Sequence, residues 1–163
     1  MRKQRIVAVS GAKKTGKTSL IEKLIPALTR RGLRTAIIKH DGHGFAPDRE
    51  GTDTCRALSA GAMGAAVFDG EKFQAVKRAV VTERELVALF PEADLVLLEG
   101  FKASQWPKIE VLGESAESVV GDPGTLLAVM TESERSVLNV PKFRPDEAEK
   151  LAEYLCAVLF PDE

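Results

Sequence analysis

The sequence predicts an α/β fold of three layers around a mostly parallel sheet, with an inserted β-hairpin. Three observations carry this. Short apolar runs alternate along the chain with helical patterns. The first run leads directly into a glycine-rich turn, GAKKTGKTSL at 11–20, that opens a helix. The stretch around Asp69-Gly70 reads instead as two short strands joined by a tight turn.

Taken in order, IVAVS at 6–10, TAIIK at 35–39, LVLLE at 95–99 and LLAVM at 126–130 are the buried strands. They are β-branched or leucine-rich and lack clean alternation, as strands covered on both faces do. KIEVL at 108–112 is a further strand. From Thr18 to Arg31, Leu20, Ile21, Leu24 and Leu28 recur at helical spacing, and Gly32 closes the helix. Pro26 lies inside it and should kink it, because its nitrogen cannot bond back to the Glu22 carbonyl. Thr82 and Glu85 form a capping box ahead of a short helix ending near Phe90. AAVF, Asp69-Gly70 and KFQAV form the hairpin, an insertion at about 61–78. Pro145 opens the last helix in its first turn, and Leu151, Tyr154, Leu155, Val158 and Leu159 make its apolar stripe. With no repeat or linker, the 163 residues read as one domain.

Composition narrows the function. The formal net charge is −1, which provides no global field toward nucleic acid or an anionic membrane, so neither is expected as a partner. Cys55 and Cys156 lie far apart and read as reduced thiols, with Cys156 in the core. The basic MRKQ and apolar IVAV at the N-terminus hint at a signal peptide, but an apolar run of four is shorter than the roughly seven such a segment needs. No stretch approaches the ~20 apolar residues of a membrane span. A cytoplasmic protein is expected.

Gly11, Gly16, Lys17 and Thr18 match G-x-x-x-x-G-K-[ST], between a strand and a helix as that motif requires. Glycines let the backbone curl so that amides converge, and the helix N-terminus adds partial positive charge at the same point. Gly11, Ala12, Lys13, Lys14, Thr15, Gly16, Lys17, Thr18 and Ser19 are therefore the expected nucleotide-binding residues, in a P-loop NTPase-like domain. Lys17 is placed for the β- and γ-phosphates, and the Thr18 hydroxyl for Mg²⁺. Ser10 and Thr15 can add hydroxyl contacts. Of Lys13 and Lys14, one is expected to be simply solvated.

Such a loop needs an acid near the metal. Glu99 ends a buried strand at its carboxyl end, where ligands bind in open α/β sheets. It is the expected catalytic residue and, with Thr18, the expected metal ligand. Asp94 begins the same strand, at the wrong end. The second strand delivers KHDGHGFAPD to the ligand edge, where His40, Asp41, His43 and Asp48 cluster as second-motif candidates, with Asp53 and Arg56 beyond as further ones of the same kind. Two histidines three apart near carboxylates suit a transition metal, yet two histidines alone do not define a site. No N-K-x-D segment is present to read guanine, and no G-x-S-x-G or C-x-x-C suggests other chemistry. Motifs leave the base unassigned.

GAKKTGKTSL, IIKHDGHGF, DTCRALSAGA, LVLLEGFK and PKIEVL follow one another as in the MobB family, which this sequence resembles from about residue 5 to about residue 155. The phosphate loop is common to many proteins; the combination of KH-x-x-H, R-x-x-x-AGA and EGFK is much more specific. The resemblance implies a P-loop α/β fold that binds GTP with Mg²⁺ and is at most a weak GTPase. It also implies a homodimer that associates with MobA, the guanylyltransferase joining GMP to molybdopterin, and assists that step. On this resemblance Lys39, His40 and His43 match the second motif, Arg56, Ala60, Gly61 and Ala62 the third, and Glu99, Gly100, Phe101 and Lys102 the acid strand. The chain departs from the family where Gly44, Phe45, Ala46 and Pro47 separate the second histidine from Asp48, and in its Lys13-Lys14 pair. The alternative is an enzyme, a small-molecule kinase or ATP-dependent ligase, since LVLLEG also resembles the acid strand of dethiobiotin synthetase.

Overall fold

The structure is a computed structural model that describes residues 2–42, 44–45, 48–113, 122–133 and 139–161. Its contacts divide the chain into two compact units, Met1–His40 with Leu86–Glu163, and Asp41–Glu85.

The first unit holds a six-stranded sheet. Its strands are β1 (Arg5–Ser10), β2 (Thr35–Lys39), β5 (Leu95–Glu99), β6 (Lys108–Val111), β7 (Leu126–Met130) and β8 (Lys142–Phe143). The order is β2-β5-β1-β6-β7-β8 and every pairing is parallel. The expected strands are all present, within a residue of their expected ends.

Alternation within these strands sorts their side chains onto two faces. Val7, Val9, Leu95, Leu97, Ile109, Val111, Ala128 and Met130 face the helices α1 (Lys17–Arg30) and α4 (Ala148–Leu159). Leu20, Ile21, Leu24 and Leu28 of α1 and Leu151 and Leu155 of α4 complete that core. Fully burying one such leucine contributes about 1.5–3 kcal/mol. On the other face Ala8, Ile38, Val96 and Leu98 pack with Val87 and Ala93, and Phe90, Phe101 and Trp106 partly cover them. That layer is made of short segments rather than long helices.

Helix α1 runs continuously through Pro26. One detail differs from expectation. Pro145 does not open the last helix: it lies in a turn closed by the Glu147 amide on the Arg144 carbonyl (2.9 Å), and α4 starts at Ala148. Cys156 packs partly buried against the core, and burial raises its thiol pKa.

The second unit contains α2 (Asp53–Ser59) and a hairpin of β3 (Gly64–Phe68) and β4 (Phe73–Lys77). Helix α2 is absent from the sequence reading. Thr52 caps it, accepting from the Cys55 amide at 3.3 Å. The hairpin lies inside the expected bounds; Asp69 braces its turn by accepting from the Glu71 and Lys72 amides, both at 2.9 Å. The return passes through α3 (Glu83–Val87). The expected capping box precedes it, with the Thr82 amide on Glu85 at 2.8 Å and the Glu85 amide on Thr82 at 3.3 Å.

At the amino end of β5, buried Asp94 accepts from the Arg34 amide (2.9 Å) and from its guanidinium (3.0 and 3.1 Å). This clamp joins the entry to β2 with the entry to β5. The hydrogen bond from Arg34 is the main reason the Asp94 carboxyl sits below its ordinary 3.8. A carboxyl depressed in the folded state adds stability above its unfolded pKa, and that stability is lost as pH falls through the folded value. Asp94→Asn should therefore flatten the acid-side fall in urea midpoint relative to wild type; an unchanged slope would show that the clamp contributes nothing.

Candidate functional site: the phosphate loop and its acid

The site is built by β1, α1 and β5. Beyond Ser10 the chain turns at Gly11, with φ +142°. A Cβ there would lie 2.3 Å from the Val111 carbonyl oxygen and 2.9 Å from Thr15 Oγ1, so the loop starts flat against the end of β6. Gly16 has φ +95° and forms the N-cap of α1, with no side-chain cap. Lys14, at φ +65°, is left-handed without being glycine, a strained state that collects at ligand-binding turns. Left-handed residues next to right-handed ones make the concave amide nest that accepts anions. The first amides of a helix have no intrahelical acceptor, so the N-terminus of α1 adds donors to the nest.

Side chains close the loop over itself. Thr15 Oγ1 donates to the Ala12 carbonyl at 3.0 Å. Lys17 Nζ donates to the Gly11 and Ala12 carbonyls at 3.1 and 2.5 Å. The ammonium thus arches over the cradle, tethered to the residues a phosphate would approach. Lys13 and Lys14 are both exposed.

Parallel pairing puts Glu99 beside the loop: Val9 and Lys39 are its register partners in β1 and β2. Glu99 is 5% exposed. Its Oε1 accepts from Thr18 Oγ1 at 2.8 Å and lies 3.6 Å from Lys39 Nζ. A hydroxyl and a carboxylate in direct contact at a phosphate loop are hard oxygen donors suited to one divalent cation. Beyond Glu99, Gly100 turns with φ +104°, its amide donating to the Val9 carbonyl at 2.9 Å. The His40 amide donates to the Glu99 carbonyl at 3.0 Å, and its ring lies 5.7 Å from that of Phe101.

The structure thus brings together residues 11–19, Lys39 and Glu99, with His40 on the neighbouring backbone. Asp48 and Asp53 belong to the second unit. Asp48 accepts from the Arg49 amide at 2.7 Å and from the Thr54 hydroxyl, and the Thr54 bond is the main cause of its lowered pKa. Asp53 sits in the first turn of α2, 3.9 Å from Arg56. His43 lies outside the described residues. Among the described residues, no group of three or more His, Cys, Asp or Glu is placed to hold a metal.

Two functional supports escaped the sequence reading. Lys108 and Glu110 of β6 are fully buried. Lys108 Nζ donates to the Lys102 and Ser104 carbonyls at 3.0 and 2.8 Å, fixing the turn after Glu99. Glu110 accepts from the Ser10 hydroxyl at the mouth of the loop. The available signal was two charges spaced two apart in an otherwise apolar strand.

Residues 6–132 match the family model described as MobB, molybdopterin guanine dinucleotide synthesis protein B. The chain belongs to the MobB family. A Bacillus subtilis (strain 168) relative named as a probable molybdopterin-guanine dinucleotide biosynthesis adapter protein is 31% identical over 149 residues, covering 87% of this chain and 86% of the relative. The adapter protein of that name from Escherichia coli (strain K12) is 37% identical over 109 residues, 63% of this chain and 62% of its own length. Among solved structures, Bacillus subtilis MobB superposes with a TM-score of 0.75 at 29% identity, covering 92% of this chain and 97% of that one. The MobB match runs from β1 through the loop, β5 and β6 to just beyond β7. No helix among the described residues is long and apolar enough to cross a membrane.

Proposed function

We propose that this MobB-family chain is a GTP-binding adapter that assists attachment of GMP to molybdopterin, with Mg²⁺ at the phosphates and at most weak GTPase activity. The observation that carries the reading is the phosphate loop, curled through Gly11, Lys14 and Gly16 and joined to Glu99 by the 2.8 Å Thr18 contact. The names of the relatives support the pathway; the partner is the guanylyltransferase MobA, in the cytoplasm.

The chain's own groups divide the work. Loop amides and the α1 N-terminus receive the phosphates, and Lys17 exchanges its carbonyl contacts for phosphate oxygens. Thr18 and Glu99 fit a Mg²⁺ ion, which neutralises phosphate charge when bound. Lys39 balances the Glu99 carboxylate when no cation does. An adapter of this kind holds nucleotide without rapid turnover; turnover demanding a third substrate would instead indicate the kinase or ligase reading.

Titrating GTP with Mg²⁺ and with EDTA tests this. Wild type should bind in a Mg²⁺-dependent way. Lys17→Ala should lose about 2–4 kcal/mol of binding with unchanged unfolding, and Glu99→Gln should weaken the Mg²⁺ dependence. Wild-type affinities in both variants would refute the site.

The second element is a homodimer. Phe68 and Phe73 face each other across the hairpin and are 82% and 77% exposed. An isolated hairpin is marginal in water, and a second copy covering these rings removes that apolar surface. Sedimentation should give a dimer for wild type and a monomer for the Phe68→Ser, Phe73→Ser double variant; a wild-type monomer at high micromolar concentration contradicts the assignment.

A further inference from the structure

A cavity of about 470 Å³ adjoins the phosphate loop, within the roughly 300–1,000 Å³ of small-molecule sites. It opens beside Gly16 and Ser19 and extends to the carboxyl ends of β6 and β7. In the sheet order this is the opposite side of β1 from Glu99 and Lys39. A bound triphosphate has two ends. A metal and terminal phosphate held by the Thr18–Glu99 pair would lie toward β5. The nucleoside would then lie past Ser19 and Leu20, on the β6 and β7 side where this cavity opens.

Part of the cavity wall is apolar. Leu20, Leu112 and Met130 line it and are 2%, 6% and 2% exposed. The Leu112 amide donates to the Met130 carbonyl at 2.9 Å, holding the two strand ends together. Glu132 lines the same cavity and is solvent-exposed. Its carboxylate has no hydrogen bond or ion pair among the described residues. Its backbone is fixed on both sides: the Thr131 amide donates to the Phe143 carbonyl at 2.9 Å, and the Ser133 amide to Thr131 Oγ1 at 3.0 Å. A carboxylate on a held turn therefore lines a cavity of mixed character, with Leu20, Leu112 and Met130 on one part and Lys14 and Lys23 on another, beside a phosphate cradle.

We propose that this cavity takes the base of the bound nucleotide and that Glu132 is its specificity determinant, selecting guanine. The proposal rests on the reading that the loop holds a nucleoside triphosphate. An ionised carboxylate only accepts hydrogen bonds. Guanine presents two adjacent donors, N1–H and the exocyclic N2–H, that one carboxylate can accept together. Adenine presents an acceptor at N1 beside a single amino donor, so one contact becomes lone pair against lone pair. That is discrimination by an unfavourable contact as well as by a favourable one. Glu132 thus supplies the guanine reading for which the sequence carries no N-K-x-D segment.

The test is a binding titration of GTP, ATP and XTP with Mg²⁺ on wild type, Glu132→Gln and Glu132→Ala, with Lys17→Ala as the phosphate control. Wild type should prefer GTP. Xanthine replaces the guanine amino group with a carbonyl at C2. The carboxamide that Glu132→Gln introduces keeps an acceptor for N1–H and turns a donor toward that carbonyl. Glu132→Gln should therefore lose about tenfold or more for GTP and gain about as much for XTP. Glu132→Ala should bring GTP close to ATP, and both variants, altered at an exposed side chain, should keep the wild-type Tm. If wild type and both variants bind GTP and XTP in the same ratio while Lys17→Ala loses binding, the nucleotide reading stands and the Glu132 assignment is wrong. If wild type binds none of the three triphosphates, the nucleotide reading itself fails and the assignment falls with it.

Discussion

The register of β1 against β5 sets the site. Val9 lies opposite Glu99, so the strand that launches the phosphate loop ends one residue beyond the level of the acid. Side chains alternate along a strand, and a slip of β5 by one residue would turn Glu99 to the other face and send Leu95 and Leu97 out of the helix-covered core. The core therefore enforces the register, and the register brings the carboxylate within 2.8 Å of Thr18. The Thr18–Glu99 contact at the carboxyl edge is thus placed by apolar packing some distance from it.

Charges inside the sheet do related work. A buried ion is unfavourable unless it is paired or hydrogen-bonded. Asp94 meets that condition through Arg34 and ties two strand entries together. Lys108 meets it through two backbone carbonyls of the turn after Glu99. Glu110 takes the Ser10 hydroxyl where the loop begins. Each holds backbone at a place where a shift would move the phosphate loop or the acid.

The strands and the phosphate loop were legible because local pattern and tertiary context agree there. Runs such as LVLLE are buried on both faces and read as such, and the glycine spacing of the loop reflects two left-handed or near-extended turns that other residues resist. Helix α2 was not legible: seven residues give barely two turns, and Asp53, Thr54, Cys55, Arg56 and Ser59 carry no apolar period. Pro145 is common in first turns of helices, but the Glu147–Arg144 turn claims it. Glu132 was illegible for another reason. It stands alone after a strand, and only the fold shows that it lines the cavity beside β6, β7 and α1.

If residues 11–19 form a preorganised phosphate cradle closed by Glu99, their amides respond to nucleotide. Hydrogen–deuterium exchange of the intact protein, with and without GTP and Mg²⁺, reads it most directly, because the cradle acts through its amides. Nucleotide should slow exchange in peptides spanning 11–20 and 99–104 and leave the start of β5 unchanged. Loop amides exchanging at the same rate with and without saturating nucleotide would contradict this.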